Sequence, residues 1–300
     1  MATETWTYDG VALSNYVAGN KIWDIRTWSG LDDWAGVNTG GGSSTGSTSS
    51  GTNGMFQLAQ SHGEFWFPQY FTAMTRLLTM HVSSYNQSTG AAPTSIDQAR
   101  QNFDQNLDSL NLLFQRRRNL ASLLRNRSDG TTRLGLVSVD SVVRPTLIPI
   151  TDALITVELT FPDPFWRDPT DIVLATVSAG FSGVVTGLAG ATAPINDMQL
   201  GIAGPVTNPR VTDNESGSWV QYNGTVASGK TLVLHNVNMN IDDGGTGWSP
   251  ALSSMQHAGD ANWLTLYPSQ TGGGINVTFG GSSTSGSTQL VFFGHRKYLR

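Results

Sequence analysis

The stretch that decides the fold is FPDPFWRDP, residues 161–169. Each proline removes a backbone N–H donor and pushes the residue before it into an extended conformation, so strand pairing has to stop near Phe161. Phe165 and Trp166 are large enough to anchor the turn in a hydrophobic core. The segment therefore predicts a hinge-like junction between two differently built halves of the chain.

The composition predicts two mostly β domains. With 300 residues, 38% of them hydrophobic, the chain can form two packed cores. Only 13% of the residues are charged, whereas Gly is abundant, and this balance is typical of strands joined by many tight turns. We expect an N-terminal domain over residues 1–169 and a C-terminal domain over residues 170–300.

Charge and cysteine usage narrow the function classes. The formal net charge of −5 gives the chain no general attraction to nucleic acid or to an anionic membrane, so neither is an expected partner. The absence of cysteine excludes disulfides, thiol nucleophiles and thiolate metal sites. No apolar run approaches the roughly 20 residues that span a bilayer, and the first residues lack the basic and apolar regions of a leader, so we expect a soluble protein made without a secretion signal.

One segment of the N-terminal half has helical rather than strand periodicity. Its apolar residues recur at intervals of mostly three and four over residues 94–124, which predicts one long amphipathic helix. Thr94 followed by Asp97 has the form of a capping box. By contrast, residues 38–54, NTGGGSSTGSTSSGTNG, contain too little apolar surface to offset the entropy of ordering, and we expect a flexible loop there.

The rest of the chain reads as strands. Before the junction, residues 154–159 alternate in polarity, as do Leu78, Met80 and Val82. After the junction, short strand-like runs are separated by Gly-rich and Asn-rich turns, a pattern that predicts a β-sandwich of jelly-roll or related type.

Motifs for catalysis or metal binding are weak. Residues 42–46, GSSTG, fit the nucleophile-elbow pattern, but they lie in the low-complexity loop rather than between a strand and a helix. The five histidines do not have zinc-ligand spacing, and the proximity of Asp163 to Asp168 does not establish an acid/base pair. We therefore expect no catalytic site, no metal and no cofactor.

The concentrated positive charge is an arginine run at or just beyond the predicted helix. It is interpreted as a solvated helix face that complements the C-terminal dipole, or as a set of partners for carboxylates of a neighbouring subunit. The candidate subunit-interface residues are Arg116, Arg117, Arg118, Phe165, Trp166 and Arg167.

Aromatic residues of the C-terminal half have two open interpretations. They could form a platform on which sugar rings stack, or they could belong to the sandwich core, and strand alternation does not separate the two. The candidate carbohydrate-contact residues are Trp219, Tyr222, Trp248, Trp263 and Tyr267.

Five segments carry a resemblance that covers most of the chain. They are WTYDG at 6–10, the predicted helix, PDPFWR at 162–167, PVTNP at 205–209 and the closing segment 263–299. In these segments the chain resembles the distal tail protein family of siphoviruses, phages with long, flexible, non-contractile tails. The GGG turn at 272–274 and the long loop depart from a compact member of that family.

The resemblance implies an N-terminal β domain with one helix that forms a ring, and a C-terminal galectin-like sandwich that projects outward. It further implies a non-enzymatic virion protein at the distal end of the tail, assembled in the host cytoplasm as a homo-hexameric ring. The implied partners are the tail tube protein and tail-tip or baseplate hub proteins, with host-surface carbohydrate as a further partner. The alternatives are a non-catalytic carbohydrate-binding sandwich module and, more weakly, an enzyme with a dispersed active site.

Overall fold

The structure is a computed structural model that describes residues 4–28, 55–57, 64–66, 73–115, 119–148, 152–235, 239–242, 248–258, 264–269 and 274–299. The chain separates into two compact units, Met1–Trp166 (unit 1) and Arg167–Leu299 (unit 2). The expected flexible loop at 38–54 and the arginine run at 116–118 lie outside the described residues.

Unit 1 is built on an antiparallel sheet in which eight strands follow the order β2-β1-β8-β9-β10-β7-β4-β3. Two short strands, β5 and β6, pair with each other separately. The strands are β1 (Thr5–Tyr8), β2 (Val11–Ala12), β3 (Asn15–Val17), β4 (Asn20–Trp28), β5 (Met55–Gln57), β6 (Glu64–Trp66), β7 (Met74–Val82), β8 (Ala121–Asn126), β9 (Thr132–Ile148), β10 (Asp152–Phe161) and β11 (Trp166–Arg167).

The predicted strand alternation in unit 1 is confirmed. In β10 the odd-numbered residues Ile155, Val157 and Leu159 are buried, and the even-numbered residues between them are half-buried. In β7, the residues at 78, 80 and 82 are fully buried. Because side chains alternate across a strand, these two neighbouring strands place a continuous apolar face on the core.

The one α-helix among the described residues is α1, Ile96–Leu113, and the predicted helix boundaries are wrong at both ends. Ser95 is the N-cap, and its hydroxyl accepts a hydrogen bond from Gln98 N at 3.2 Å, so the predicted Thr94–Asp97 capping box is replaced by one based on Ser95 and Gln98. The Gln98 side chain in turn accepts from Thr94 N at 2.7 Å.

At its other end, the helix stops eleven residues before the predicted residue 124. Residues from Ala121 onward form β8, which pairs with β1 on one side and β9 on the other. Ala121 and Leu123 are buried and alternate with half-buried residues, so period-2 burial between two strands overrides the helical spacing. None of the described helices is long and apolar enough to cross a membrane.

Polar side chains tie the helix to the segment that follows β7. Asn106 is fully buried and donates through Nδ2 to Ser83 O at 2.8 Å and to Tyr85 O at 2.9 Å. Asn102 donates in the same way to Ser84 O at 3.0 Å. These bonds join the helix to the backbone of residues 83–85, and Phe103 and Leu110 are the buried apolar residues of the same helix.

Unit 2 consists of two antiparallel sheets, with strand orders β12-β23-β14-β18-β19-β20 and β13-β22-β15-β16-β21; β17 pairs with β15. Two short 3-10 helices, Thr186–Leu188 and Leu252–Ser254, connect strands. The strands are β12 (Ile172–Ser178), β13 (Ser182–Val184), β14 (Gln199–Ala203), β15 (Val206–Asp213), β16 (Trp219–Tyr222), β17 (Thr225–Val226), β18 (Thr231–Leu234), β19 (Met239–Asp242), β20 (Trp248–Pro250), β21 (Met255–Ala258), β22 (Asn276–Ser282), β23 (Gln289–Gly294) and β24 (Lys297–Tyr298).

The two sheets of unit 2 share one hydrophobic core. Ile202 and Phe292 come from the first sheet, Val211 and Phe279 from the second, and all four are fully buried in a single cluster. Because inward residues of both sheets meet in this cluster, unit 2 is a β-sandwich.

Candidate interaction surfaces

An aromatic cluster lies where β10 ends and the junction begins. The Trp166 ring meets Phe161 at 5.6 Å and Trp6 at 5.8 Å between centroids, both edge to face. A Cβ on Gly135 of β9 would lie 2.5 Å from Phe161 Cε1 and 3.2 Å from Trp166 Cζ3. The rings therefore occupy the space of a side chain, and only glycine fits opposite them.

The predicted subunit-interface residues at the junction have packing roles within the chain. Phe165 and Trp166 are buried, and Arg167 is half-buried. Their burial agrees with the interpretation of Phe165 and Trp166 as core anchors. Their contact with a second subunit stays a prediction, as does that of the arginine run, which lies outside the described residues.

The outer face of β7 and β10 is a nearly uncharged surface, which we call the threonine face. It comprises Thr75, Leu77, Thr79 and His81 of β7, and Leu154, Thr156, Glu158 and Thr160 of β10, which lie opposite one another in register.

Threonine hydroxyls form hydrogen bonds between the two strands on this face. The Thr75 and Thr160 hydroxyls lie 3.0 Å apart, and those of Thr79 and Thr156 3.4 Å apart. Thr160 also donates to Asp140. Leu77 is 44% exposed in the middle of the face. Interface cores are depleted of charged residues, and this face carries one carboxylate, Glu158, among its eight residues.

His81 is a titratable residue of the threonine face, and its pKa is shifted by burial. His81 Nε2 lies 3.3 Å from Asp152 Oδ1, and Nδ1 is buried without a hydrogen-bond partner. Burial lowers the pKa of His81 below its ordinary value, against the opposing effect of Asp152. The imidazole is therefore held in its neutral form, which keeps the face low in charge.

In unit 2, the predicted carbohydrate-contact residues do not form one platform. Trp219 and Tyr222 stand on opposite faces of β16, since Val220 points into the core and Tyr222 packs against that core. The Arg210 guanidinium lies over the Trp219 ring, 4.2 Å from its centroid, and covers one face of the ring.

Of the other three predicted aromatics, the structure describes the side chain of Tyr267. Tyr267 is half-buried, and its backbone N–H donates to Asp213 Oδ1 at 3.3 Å. Trp263 and the side chain of Trp248 lie outside the described residues. Carbohydrate contact by these residues stays a prediction.

A cleft of about 570 Å³ opens between the edge strands of the sandwich. It is lined by residues 174–187, including Leu174, Phe181 and Val184. The sequence from 172 to 196 contains no charged residue and no histidine. The side chains that line this cleft are therefore apolar groups and hydroxyls.

A charged cluster in unit 2 was not anticipated from the sequence. Asp168 accepts from Arg296 Nε at 2.9 Å, from Arg296 N at 3.0 Å and from the buried Tyr298 hydroxyl at 2.8 Å. Burial would raise the pKa of Asp168, but the bonds from Arg296 and Tyr298 outweigh it and lower the pKa. Asp168 is therefore a structural carboxylate, ionised and fully engaged.

Three further residues complete this charged cluster. Lys297 is 2% exposed, and its Nζ lies 2.8 Å from Asn196 Oδ1 and 3.1 Å from Asp197 Oδ2. Burial would raise the pKa of Asp197, but His295 and Lys297 lower it to about 2. The visible sequence signal is HRKY at 295–298, a concentration of cations in a chain with few charges, but its carboxylate partners lie about a hundred residues away.

No catalytic arrangement comes from these residues. In the described parts of the chain, no group of three or more His, Asp or Glu side chains could hold a metal ion. The carboxylates of the charged cluster are bound by cations rather than free to exchange protons. The fold defines a class of β proteins with two units, one a sheet with a helix and the other a β-sandwich. The features described above are contact surfaces and buried ion pairs.

Among solved structures, this fold is shared with the crystal structure of the SPP1 Dit (gp 19.1) protein, described as a paradigm of the hub adsorption apparatus in phages that infect Gram-positive bacteria. The TM-score is 0.57 at 13% sequence identity, over 99% of each chain. The likeness confirms, at the level of the fold, the predicted resemblance to distal tail proteins.

A second solved structure is less similar to this chain. A structure of the phage P2 baseplate in its activated conformation with Ca covers 98% of both chains with a TM-score of 0.36 at 9% identity, a value too low to indicate a common fold. No protein-family model and no curated protein matches the chain.

Proposed function

We propose that this chain is a structural phage tail protein that forms a ring at the distal end of the tail tube and connects the tube to the tail tip or baseplate. The observation that carries the proposal is the fold shared with SPP1 Dit over 99% of both chains, which includes both units rather than one common domain. A match to the sandwich alone would fit many unrelated binding modules.

Each unit has its own part in this proposal. Unit 1, within the predicted ring-forming domain of residues 1–169, supplies the ring contacts. Its threonine face offers the exposed Leu77 and ordered hydroxyls with little charge to desolvate. The C-terminal domain, residues 170–300, is a galectin-like or jelly-roll sandwich that faces tail-tip or baseplate hub proteins. The chain works in the virion without enzymatic activity.

The carbohydrate-binding module is the weaker candidate. Arg210 covers the Trp219 ring, and Tyr222 points into the core, so two of the predicted contact residues are engaged elsewhere. Glycan-array binding by the full chain that is lost in Trp219→Ala would reverse this preference.

The experiment that tests ring formation is light scattering of the purified full chain over a range of concentrations, with electron-microscope images of the same samples. The proposal expects closed rings with six times the 32.1 kDa chain mass, alone or after addition of the tail tube protein. A chain that stays monomeric in both conditions contradicts it.

A substitution on the threonine face locates the contact. Leu77→Lys places a charge at the centre of the face, and the opposing Glu158 offers that lysine a partner within the folded chain. We expect the variant to fold and to lose the ring. The matched control is Val173→Lys, an exposed apolar position in unit 2, which should keep the ring. The reverse pattern would show that unit 2, not unit 1, carries the ring contacts.

A further inference from the structure

The last strand of unit 2 is held by carboxylates from two other segments. His295 Nδ1 lies 2.7 Å from Asp171 Oδ1, in the segment that precedes β12. On its other side, His295 Nε2 lies 3.2 Å from Asp197 Oδ2, in the segment that precedes β14, without the alignment of a hydrogen bond. The imidazole is 6% exposed. One buried ring therefore faces a carboxylate at each nitrogen.

This geometry selects one protonation state. A neutral imidazole carries a single N–H, so its second nitrogen would direct a lone pair at a carboxylate oxygen. Only the imidazolium presents N–H groups to both Asp171 and Asp197. The ring is therefore attractive to both neighbours when protonated and repulsive toward one of them when neutral.

Other charges face the same ring. Lys297, two residues further along the chain at the start of β24, shares Asp197 Oδ2 with the imidazole. Arg167 lies close enough to oppose protonation by charge repulsion. The neighbouring Arg296 is committed to Asp168 at 2.9 Å. Two carboxylates thus favour the charged ring, and Lys297 and Arg167 limit how far they do so.

The cluster secures a set of backbone bonds between the start and the end of unit 2. Lys297 O accepts from Thr192 N at 3.0 Å and from Ala193 N at 3.2 Å, and Leu299 N donates to the Thr192 hydroxyl at 3.0 Å. Asp168 N donates to Arg296 O at 3.1 Å. When the ionic contacts of His295 and Lys297 are broken, the side chains no longer hold the backbone of residues 296–299 against Asp168 and residues 192–193.

We propose that His295, with Asp171 and Asp197, forms a proton-dependent latch that holds the last strand of unit 2 in place and releases it locally when the imidazole becomes neutral. The device is independent of ring assembly, because all of its groups belong to unit 2 of one chain.

The direction of the pH dependence follows from the contacts. Burial would lower the pKa of His295, but Asp197 and Asp171 outweigh burial and raise it. In the released strand, the imidazole returns to an ordinary pKa of about 6.5. The latch is therefore fully closed below that pH, and it weakens as the pH rises toward the raised pKa, with the opening equilibrium growing about tenfold per pH unit within this window.

Hydrogen–deuterium exchange of the full chain from pH 5 to pH 9, followed by mass spectrometry of peptides covering residues 189–198 and 295–299, tests the latch. Protection is expressed relative to the intrinsic exchange rate at each pH. In the natural chain, protection should be constant at low pH, fall by up to about tenfold per pH unit between about pH 6.5 and the raised pKa of His295, and level off above it. His295→Gln should have low protection without this step, and His257→Gln, at an exposed histidine of β21, should retain it.

Equal protection at all pH values in the natural chain, or an unchanged step in His295→Gln, would overturn the proposal. A second measurement does not need a variant. NMR titration of the histidine ring carbons in the natural chain should place the His295 midpoint above about 6.5. A midpoint below that value would also overturn it.

Discussion

Gly135→Ala tests the aromatic cluster of unit 1 with a single methyl group. The new Cβ would lie 2.5 Å from Phe161 Cε1, a distance that real Cβ contacts do not reach, and 3.2 Å from Trp166 Cζ3. Both rings are buried and rigid, so a flexible side-chain end cannot move aside. Overpacking of this kind costs about 1–3 kcal/mol, against a gain of about 0.4–1 kcal/mol from the less flexible unfolded chain. We expect a net loss of about 1–2 kcal/mol.

Urea unfolding followed by tryptophan fluorescence measures this loss. With a slope near 2 kcal/mol per molar urea, the midpoint should fall by about 0.5–1 M. The control is Gly280→Ala in β22, where a Cβ would meet no atom within 4 Å, and its midpoint should stay level or rise.

A double variant identifies the cause of the Gly135→Ala loss. Phe161→Leu removes the ring atom that the methyl group meets. The cost of Gly135→Ala should therefore be smaller in the Phe161→Leu background than in the natural chain. A Gly135→Ala midpoint at or above that of the natural chain would refute the close packing.

Three further predictions concern single contacts. Asn106→Ala leaves two carbonyls without their donor, so it should cost about 2–3 kcal/mol in urea unfolding. The control Asn111→Ala, at an exposed position of the same helix, should change stability by less than about 0.5 kcal/mol. Equal effects of the two substitutions would contradict the anchoring role of Asn106. Ser95→Ala should cost about 1 kcal/mol through the lost N-cap, and Ser95→Asp should recover most of it. Because the pKa of Asp197 is lowered to about 2, this carboxylate alone should account for about 2 kcal/mol of the stability that the natural chain loses as the pH falls from 5 to 2, and Asp197→Asn, measured in the same way, should lose less by that amount.

Strand positions could be predicted because their signal is local. In any β-strand, alternate side chains point to the same side, so Ile155, Val157 and Leu159 share one face of β10 whatever its neighbours are. Because all three are apolar, that face is the one expected to be buried. The prolines at 162, 164 and 169 also act locally, because each restricts its own backbone and that of the residue before it. The end of β10 at Phe161 could therefore be predicted from the sequence.

The end of the helix could not be predicted locally. Residues 119–124, NLASLL, satisfy a helical spacing and an alternating one equally well. The alternating pattern prevails because Leu123 stands opposite Gly135 in β9, the next strand along the chain, and opposite Tyr8 in β1, more than a hundred residues earlier. The second of these partners cannot be recognised from the segment itself.

The charged cluster was missed for the same reason. In the sequence, His295 has no zinc-ligand spacing, and Asp168 has only the nearby Asp163 to suggest a role. Their actual partners, Asp197 for the histidine and Arg296 for the aspartate, are set by where β24 returns to the start of unit 2. Only the topology of the sandwich brings these residues together.

The pairing of β12 with β23 has a consequence for synthesis on the ribosome. Ile172 to Ser178 emerge more than a hundred residues before Gln289 to Gly294, their partners in the sheet. At about 5–20 residues per second, the earlier strand waits on the order of 10 s without its neighbour. It carries the exposed Ile172 and Val173, and residues 172–178 contain no charged side chain that would discourage pairing with another nascent chain. Where many copies are synthesised at once, this strand is therefore a site at which two unfinished chains could pair with each other.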